Sequence, residues 1–175
     1  MLQYTLVETR WGLFGLLRDE LGLRAVFFPS ESPADIPQRF SGVVRGDGAF
    51  GDLPERLRGY LAGATEPFPD AISPHLGSRF QQRVWALTRT IPWGQTRTYG
   101  ELARELSGPH AARAVGQALA ANPCPVVIPC HRVIGADGRL RGFRRGLVWK
   151  ALLLQREGNQ TGQFTTGHFR KFHHE

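Results

Sequence analysis

Cys130 and His131 stand side by side in the run Pro129-Cys130-His131-Arg132-Val133, a pairing of residue types that can do nucleophilic chemistry, although the dipeptide alone is a weak signal. The thiolate is the reactive form of cysteine, and a thiol with pKa ~8.5 is only a few per cent ionised at neutral pH. An imidazole beside it offers a place for the proton to go. A lone cysteine more often reads as a small buried hydrophobe. Cys124, the chain's other cysteine, reads that way, since it sits between Pro123 and Pro125 with no adjacent base. On an extended strand neighbouring side chains point to opposite faces, so Cys130 and His131 need a relaying water or a turn after Pro129 to act together. Neither cysteine has partners at zinc-ligand spacing, and the chain carries no phosphate-cradling loop or dinucleotide fingerprint. No metal and no cofactor are expected.

The segment holding this run is strongly basic. Residues 78–158 carry a net charge of +9, whereas residues 1–77 carry −3, within a total of +7 for 175 residues. Such asymmetry points to a polyanion as partner, with a solvated basic face as the plain alternative. All but two of the 22 basic residues are arginine, the side chain suited to phosphate forks and base stacking. No apolar run approaches the ~20 residues of a membrane span. The N-terminus lacks a signal-peptide pattern, and two cysteines do not make a disulfide scaffold. The expectation is a cytoplasmic protein that does not engage membranes.

The elements that must position the pair follow from punctuation and period. Residues 4–9, 13–17 and 23–28 read as short strands, 30–48 as a loop, and Leu53–Ala62 as a helix with Pro54 in its first turn. Pro67, Pro69 and Pro74 mark the approach to a linker, giving an N-terminal α/β domain at 1–72, a linker at 73–78, a second domain at 79–158 and a flexible tail at 159–175. In the second domain, Phe80, Val84 and Leu87 recur at helical spacing. Thr98 is an N-cap for a helix over Tyr99–Leu106, with Glu101 three residues on. Ser107-Gly108-Pro109 breaks it before an Ala-rich helix over His110–Ala121, a helix-turn-helix pattern shared by DNA readers and by purely structural helix pairs. Val126–Ile128 reads as a buried strand leading to Cys130, Gly135–Gly138 as a turn, and Leu147–Glu157 as an amphipathic closing helix.

Together these motifs resemble the O6-alkylguanine-DNA alkyltransferase family, the methylated-DNA–protein-cysteine methyltransferases. The resemblance rests on Ile-Pro-Trp-Gly-Gln-Thr-Arg-Thr-Tyr-Gly (91–100), Ala-Ala-Arg-Ala-Val-Gly (111–116), Asn-Pro-Cys-Pro (122–125), Ile-Pro-Cys-His-Arg-Val-Ile-Gly (128–135), Gly-Phe-Arg-Arg-Gly (142–146) and Arg-Glu-Gly (156–158). It covers 80–158 strongly and the N-terminal part weakly. It implies an α+β protein: a small ribonuclease H-like α/β cap followed by a winged helix-turn-helix-like alkyltransferase domain. The implied partner is double-stranded DNA containing O6-alkylguanine, bound by a monomer through the minor groove. The implied reaction is base flipping, then single-use transfer of the alkyl group to the protein's own cysteine, with O4-alkylthymine as a second candidate substrate.

By the same resemblance, Cys130 is the nucleophile and acceptor, His131 the base that acts through a water, and Glu157 the carboxylate that orients His131. Asn122 is the hinge that braces the turn, and Tyr99 donates to the departing guanine. Arg113 is the finger that enters the duplex, with Thr98, Ala112, Ala114 and Gly116 completing the DNA face; Val133, Phe143, Arg144 and Arg145 line the substrate pocket. Phe143 stands where the family usually has Tyr, and Arg145 where it has Trp or Gly, so the preference between methyl and bulkier adducts stays open. Three other readings share these residues: a lesion-binding protein that does not repair, a cysteine-based alkylation sensor, and a Cys-His-Glu hydrolase. The first lacks the nucleophile, which is present here.

Overall fold

The computed structural model of the chain describes residues 1–65 and 67–159, so the expected tail lies almost wholly outside the described residues. Cα packing divides the chain into two units: Met1–Ser78 with Pro123–Val127, and Arg79–Asn122 with the residues from Ile128 onward.

The first unit is built on a four-stranded sheet ordered β3-β2-β1-β4. Strands β1 (Gln3–Thr9) and β2 (Gly12–Arg18) form an antiparallel hairpin, and β3 (Leu23–Phe27) joins β2 with a bulge at Leu17/Arg18. β2 is buried continuously over Phe14–Leu17, as an inner strand covered on both faces should be. The stretch expected as a loop holds more structure than that: α1 (Ile36–Arg39) and β4 (Val44–Arg45), which pairs with β1 in parallel. Its prolines mislead because Pro33 and Pro37 sit in first helical turns, where a missing N–H costs nothing. Gly15 admits this segment, since a Cβ there would meet Ile36 Cδ1 at 2.5 Å. Helix α2 (Leu53–Leu61) then buries Leu53, Leu57, Tyr60 and Leu61. Ser73, read as the start of the linker, is buried: its N–H donates to Leu23 O at 2.9 Å and its hydroxyl to Asp19 Oδ2 at 2.6 Å.

The second unit packs α3 (Arg79–Thr88), α4 (Tyr99–Leu106) and α5 (Ala112–Ala120) together, and Trp85 Nε1 of α3 donates to Ala118 O of α5 at 2.8 Å. Thr98 caps α4 as its sequence demands: Glu101 N–H donates to Thr98 Oγ1 at 3.1 Å, and Thr98 N–H donates to Glu101 Oε2 at 2.6 Å. Ahead of α5 the chain makes a 3-10 turn over Pro109–Ala111. Strands β5 (Arg97–Thr98) and β6 (Val133–Ile134) pair in parallel, and α6 (Leu147–Arg156) closes the unit.

Val126–Ile128 is buried but is not a strand. Val126 adopts φ 75°, a left-handed conformation that a β-branched residue rarely takes, and Pro123, Pro125 and Pro129 remove the donors a strand would need. Among the described residues, no helix is long and apolar enough to cross a membrane.

Candidate active site

The short parallel ladder sets the dimensions of the site. β5 leads directly into α4, whose first residue is Tyr99, and β6 starts directly after a 3-10 turn over Cys130–Arg132. Pairing Arg97 with Val133 and Thr98 with Ile134 fixes the start of α4 beside the segment that follows the cysteine turn, and Tyr99 lies close enough to Cys130 to interact with it electrostatically. The turn is closed by Arg132 N–H to Pro129 O at 2.9 Å, so Cys130 and His131 do not alternate as they would on a strand.

Cys130 is buried, and Asn122 Nδ2 holds it from the side, donating to Cys130 Sγ at 3.1 Å and to Ile128 O at 2.9 Å. Burial pushes the thiol above its ordinary pKa, and the Asn122 hydrogen bond and the charges of Lys150 and Arg145 pull it only part of the way back. The thiolate therefore does not form unaided at neutral pH; its proton needs an acceptor.

His131 supplies one. It is wholly enclosed, with Nε2 2.8 Å from Glu157 Oε1. Burial holds its pKa below the usual imidazole value, against the pull of Glu157. The ring is therefore neutral at neutral pH and able to take a proton. Glu157 is itself nearly closed off from solvent, and burial alone would raise its pKa; the His131 hydrogen bond and the charges of His131 and Arg132 prevail and hold it at about 2. Arg132 grips this carboxylate as a fork, with Nε to Oε2 at 2.9 Å and Nη2 to Oε1 at 2.7 Å, while Nη1 donates to Ile91 O at 2.6 Å. A carboxylate fixed in this way orients the imidazole and stabilises the imidazolium that forms when the thiol ionises.

Tyr99, Asn122, Cys130, His131 and Glu157 thus gather in one unit. Tyr99 OH donates to Arg141 O at 2.9 Å. Val133 is buried beside the turn, and Arg145 Nη1 donates to Asn122 O at 3.0 Å. Phe143 is half-buried in the same loop, where its carbonyl accepts from Gly146 N–H at 2.8 Å, and Arg144 is exposed. Arg113 and Ala114 lie on the exposed surface of α5, outside this cluster, with Ala112 and Gly116 half-buried. Gly116 faces the Tyr99 ring, where a Cβ would lie 3.9 Å from Cδ1 and Cε1, in ordinary van der Waals contact.

Two residues escaped the sequence reading. Arg132 adjoins His131, and the buried carboxylate at Glu157 was the missing clue to its role. Lys150 interrupts the apolar run Leu147-Val148-Trp149-Lys150-Ala151-Leu152, which is the one sequence signal that it points inward. Among the described residues, no group of His, Cys, Asp and Glu side chains is arranged to hold a metal ion.

Residues 79–159 match the model of the 6-O-methylguanine DNA methyltransferase DNA-binding domain. The chain is 38% identical to the methylated-DNA–protein-cysteine methyltransferase of Methanosarcina acetivorans over 90% of its own length and 99% of the relative's. It is 42% identical to the protein of that name from Mycolicibacterium paratuberculosis, over 90% and 93% of the two chains. Among solved structures it is similar to Mycobacterium tuberculosis OGT in complex with DNA, with a TM-score of 0.77 and 35% identity, covering 89% of this chain and 93% of that one.

Proposed function

The chain belongs to the methylated-DNA–protein-cysteine methyltransferase family, and on that premise we propose that Cys130 is the residue on which its reaction ends. The activity is direct-reversal DNA repair: an alkyl group leaves O6-alkylguanine in DNA for a cysteine of the protein, which is spent in the transfer. The observation that carries the assignment is the hydrogen bond from Asn122 Nδ2 to Cys130 Sγ, in a turn whose next residue, His131, is bound to the ionised Glu157. His131 receives the Cys130 proton through a water, and the thiolate displaces purine from the alkyl carbon. Tyr99 donates to the purine as negative charge develops on it, the logic of an oxyanion hole.

The alkyl carbon of a stacked base is shielded from in-line attack, so the nucleotide must be rotated out at a cost of a few kcal/mol. We assign this to the second unit as a winged helix-turn-helix-like domain that meets the minor groove as a monomer, with the first unit as a ribonuclease H-like cap. The exposed Arg113 on α5, which carries Ala112, Ala114 and Gly116 nearby, suits a finger that fills the place of the flipped base. Thr98 lies at the N-terminus of α4 as a phosphate contact, and Val133, Phe143, Arg144 and Arg145 form the pocket wall. Cytoplasmic residence belongs to the same reading, because a single-use thiol must stay reduced.

Intact-protein and peptide mass spectrometry after incubation with O6-methylguanine duplex tests the reading. The expected result is one added methylene mass per molecule, on Cys130, with no turnover beyond one equivalent. An adduct on Cys124, or catalytic turnover, overturns it. For Arg113→Ala, repair of duplex should slow by about tenfold or more, equivalent to ~1.4 kcal/mol of lost stabilisation. Its reaction with free O6-benzylguanine, which needs no flipping, should stay near that of the parent in single-turnover assays.

A further inference from the structure

At Arg145 this chain carries a charge where many members of the family have Trp or Gly, and the repair reaction itself gives that charge no task. Its guanidinium is half-buried, with Nη1 donating to Asn122 O at 3.0 Å. Asn122 is also the residue whose Nδ2 donates to Cys130 Sγ at 3.1 Å, so its carbonyl holds the cation while its side chain holds the nucleophile. Burial dominates the Cys130 thiol and raises its pKa; Lys150 and Arg145 act in the opposite sense, which places both cations within electrostatic reach of the sulfur. Lys150 has no donor left for a ligand. It is buried, and its Nζ meets Val133 O at 2.6 Å, Arg141 O at 2.7 Å and Tyr99 OH at 3.3 Å. A guanidinium has five donors in a planar fork and can hold a carbonyl oxygen and a carboxylate together. The surroundings favour an anion: residues 139–145 contain four arginines and no carboxylate, Asp137 is engaged by Arg141 at 3.0 Å, and Glu157 by His131 and Arg132.

We propose that Arg145 makes the pocket select transferred groups that carry a carboxylate over neutral groups of the same shape. The inference rests on the reading of Cys130 as alkyl acceptor. A carboxylate on the transferred carbon is ordinarily a handicap, since it must shed water to enter an enclosed site and it repels the incoming thiolate. Trp or Gly at this position offsets neither cost. A guanidinium tied to the residue that holds the sulfur offsets both, because it meets the carboxylate with charge-assisted hydrogen bonds. The smallest lesion of this class is O6-carboxymethylguanine. With it, the sulfur–carbon bond forms as the bond from that carbon to purine O6 breaks, and the electron pair leaves with the purine. The Cys130 proton rests on His131 and the purine anion takes a proton from water. The carboxylate is unchanged, and the product is S-carboxymethylcysteine beside Arg145.

The test pairs two lesions of equal shape and different charge in duplex DNA, O6-carboxymethylguanine and its neutral carbamoylmethyl counterpart, and reads the ratio of their single-turnover rates. Unmutated protein should transfer the carboxymethyl group at least as fast as the carbamoylmethyl group. In Arg145→Met the ratio should fall about tenfold or more, equivalent to ~1.4 kcal/mol, and Arg145→Lys, which keeps the charge without the fork, should restore part of it. Arg144→Met, which alters the exposed neighbour, should leave the ratio within about twofold of the parent. An unmutated protein that favours the carbamoylmethyl group overturns the proposal. So does an unchanged ratio in Arg145→Met, or an equal fall in Arg144→Met, which would mean that the basic surface acts as a whole. Iodoacetate and iodoacetamide apply the same contrast to Cys130 without DNA: their rate ratio should fall about tenfold in Arg145→Met, and an unchanged ratio overturns the proposal. If unmutated protein leaves O6-methylguanine duplex unrepaired, the parent reading fails instead, and the iodoacetate arm alone decides for Arg145.

Discussion

Cys130→Ser is expected to abolish alkyl transfer while leaving a folded protein that still binds lesion-containing duplex. A serine hydroxyl is far less acidic than a thiol, and the relay that ionises Cys130 is already working against burial, which raises the thiol's pKa. His131, held below its usual basicity, can draw a proton from a thiol but not usefully from an alcohol. The loss should be about 10⁴-fold or more, the scale seen when a triad loses its nucleophile. Stability should suffer little. The serine oxygen keeps a donor in Asn122 Nδ2, and the enclosed hydroxyl costs on the order of 1 kcal/mol. The contrast with Cys124→Ser isolates the chemistry: that thiol is equally buried, and its replacement should leave transfer intact. Single-turnover assays with methyl-labelled duplex, beside a binding assay on the same samples, read both quantities. Methyl loss from the lesion at the parent rate in Cys130→Ser removes Cys130 as acceptor.

How far the sequence reached depends on the range of the interactions involved. The Thr98–Glu101 capping box spans three residues, and the helix it starts begins where expected. The hairpin of the first unit follows from two short runs broken near Gly12, with a two-residue turn between the strands. By contrast, Val126–Ile128 has the composition of a strand, and only the φ of 75° at Val126 and the prolines around it decide otherwise. The roles of Arg132 and Lys150 depend on partners much further along the chain. Glu157 lies 25 residues beyond Arg132, and Tyr99 lies 51 residues before Lys150. A lone lysine or arginine reads as a solvated charge until the partner is known. Helix α6 illustrates this, because Lys150, one of its two cations, lies on the buried side with Ala151, Leu153 and Leu154.

Glu157→Gln should cut alkyl transfer by about a hundredfold or more, because an amide cannot neutralise the imidazolium that forms as Cys130 ionises, and it favours the wrong ring orientation or tautomer. The same change leaves the Arg132 guanidinium, 11% exposed, without its carboxylate. Losing one member of a buried pair costs about 3 kcal/mol, and denaturant midpoints should record it. The pH dependence separates this from general damage. Glu157 is held at about 2 in the folded protein against an ordinary 4.5, so between these values the unfolded chain binds the proton more readily. Its contribution to stability is therefore complete above pH 4.5 and is lost as pH falls from there towards about 2. His131 acts in the same sense at higher pH: folding holds its pKa below 6.5, so acidification below 6.5 also favours the unfolded chain. Glu157→Gln should abolish the lower acid limb and keep the upper one, leaving a protein that is weaker at neutral pH yet less sensitive to further acid below pH 4.5. A variant that keeps the parent's rate and both limbs would take Glu157 out of the relay, and His131 would then be an enclosed base with no demonstrated means of carrying the Cys130 proton.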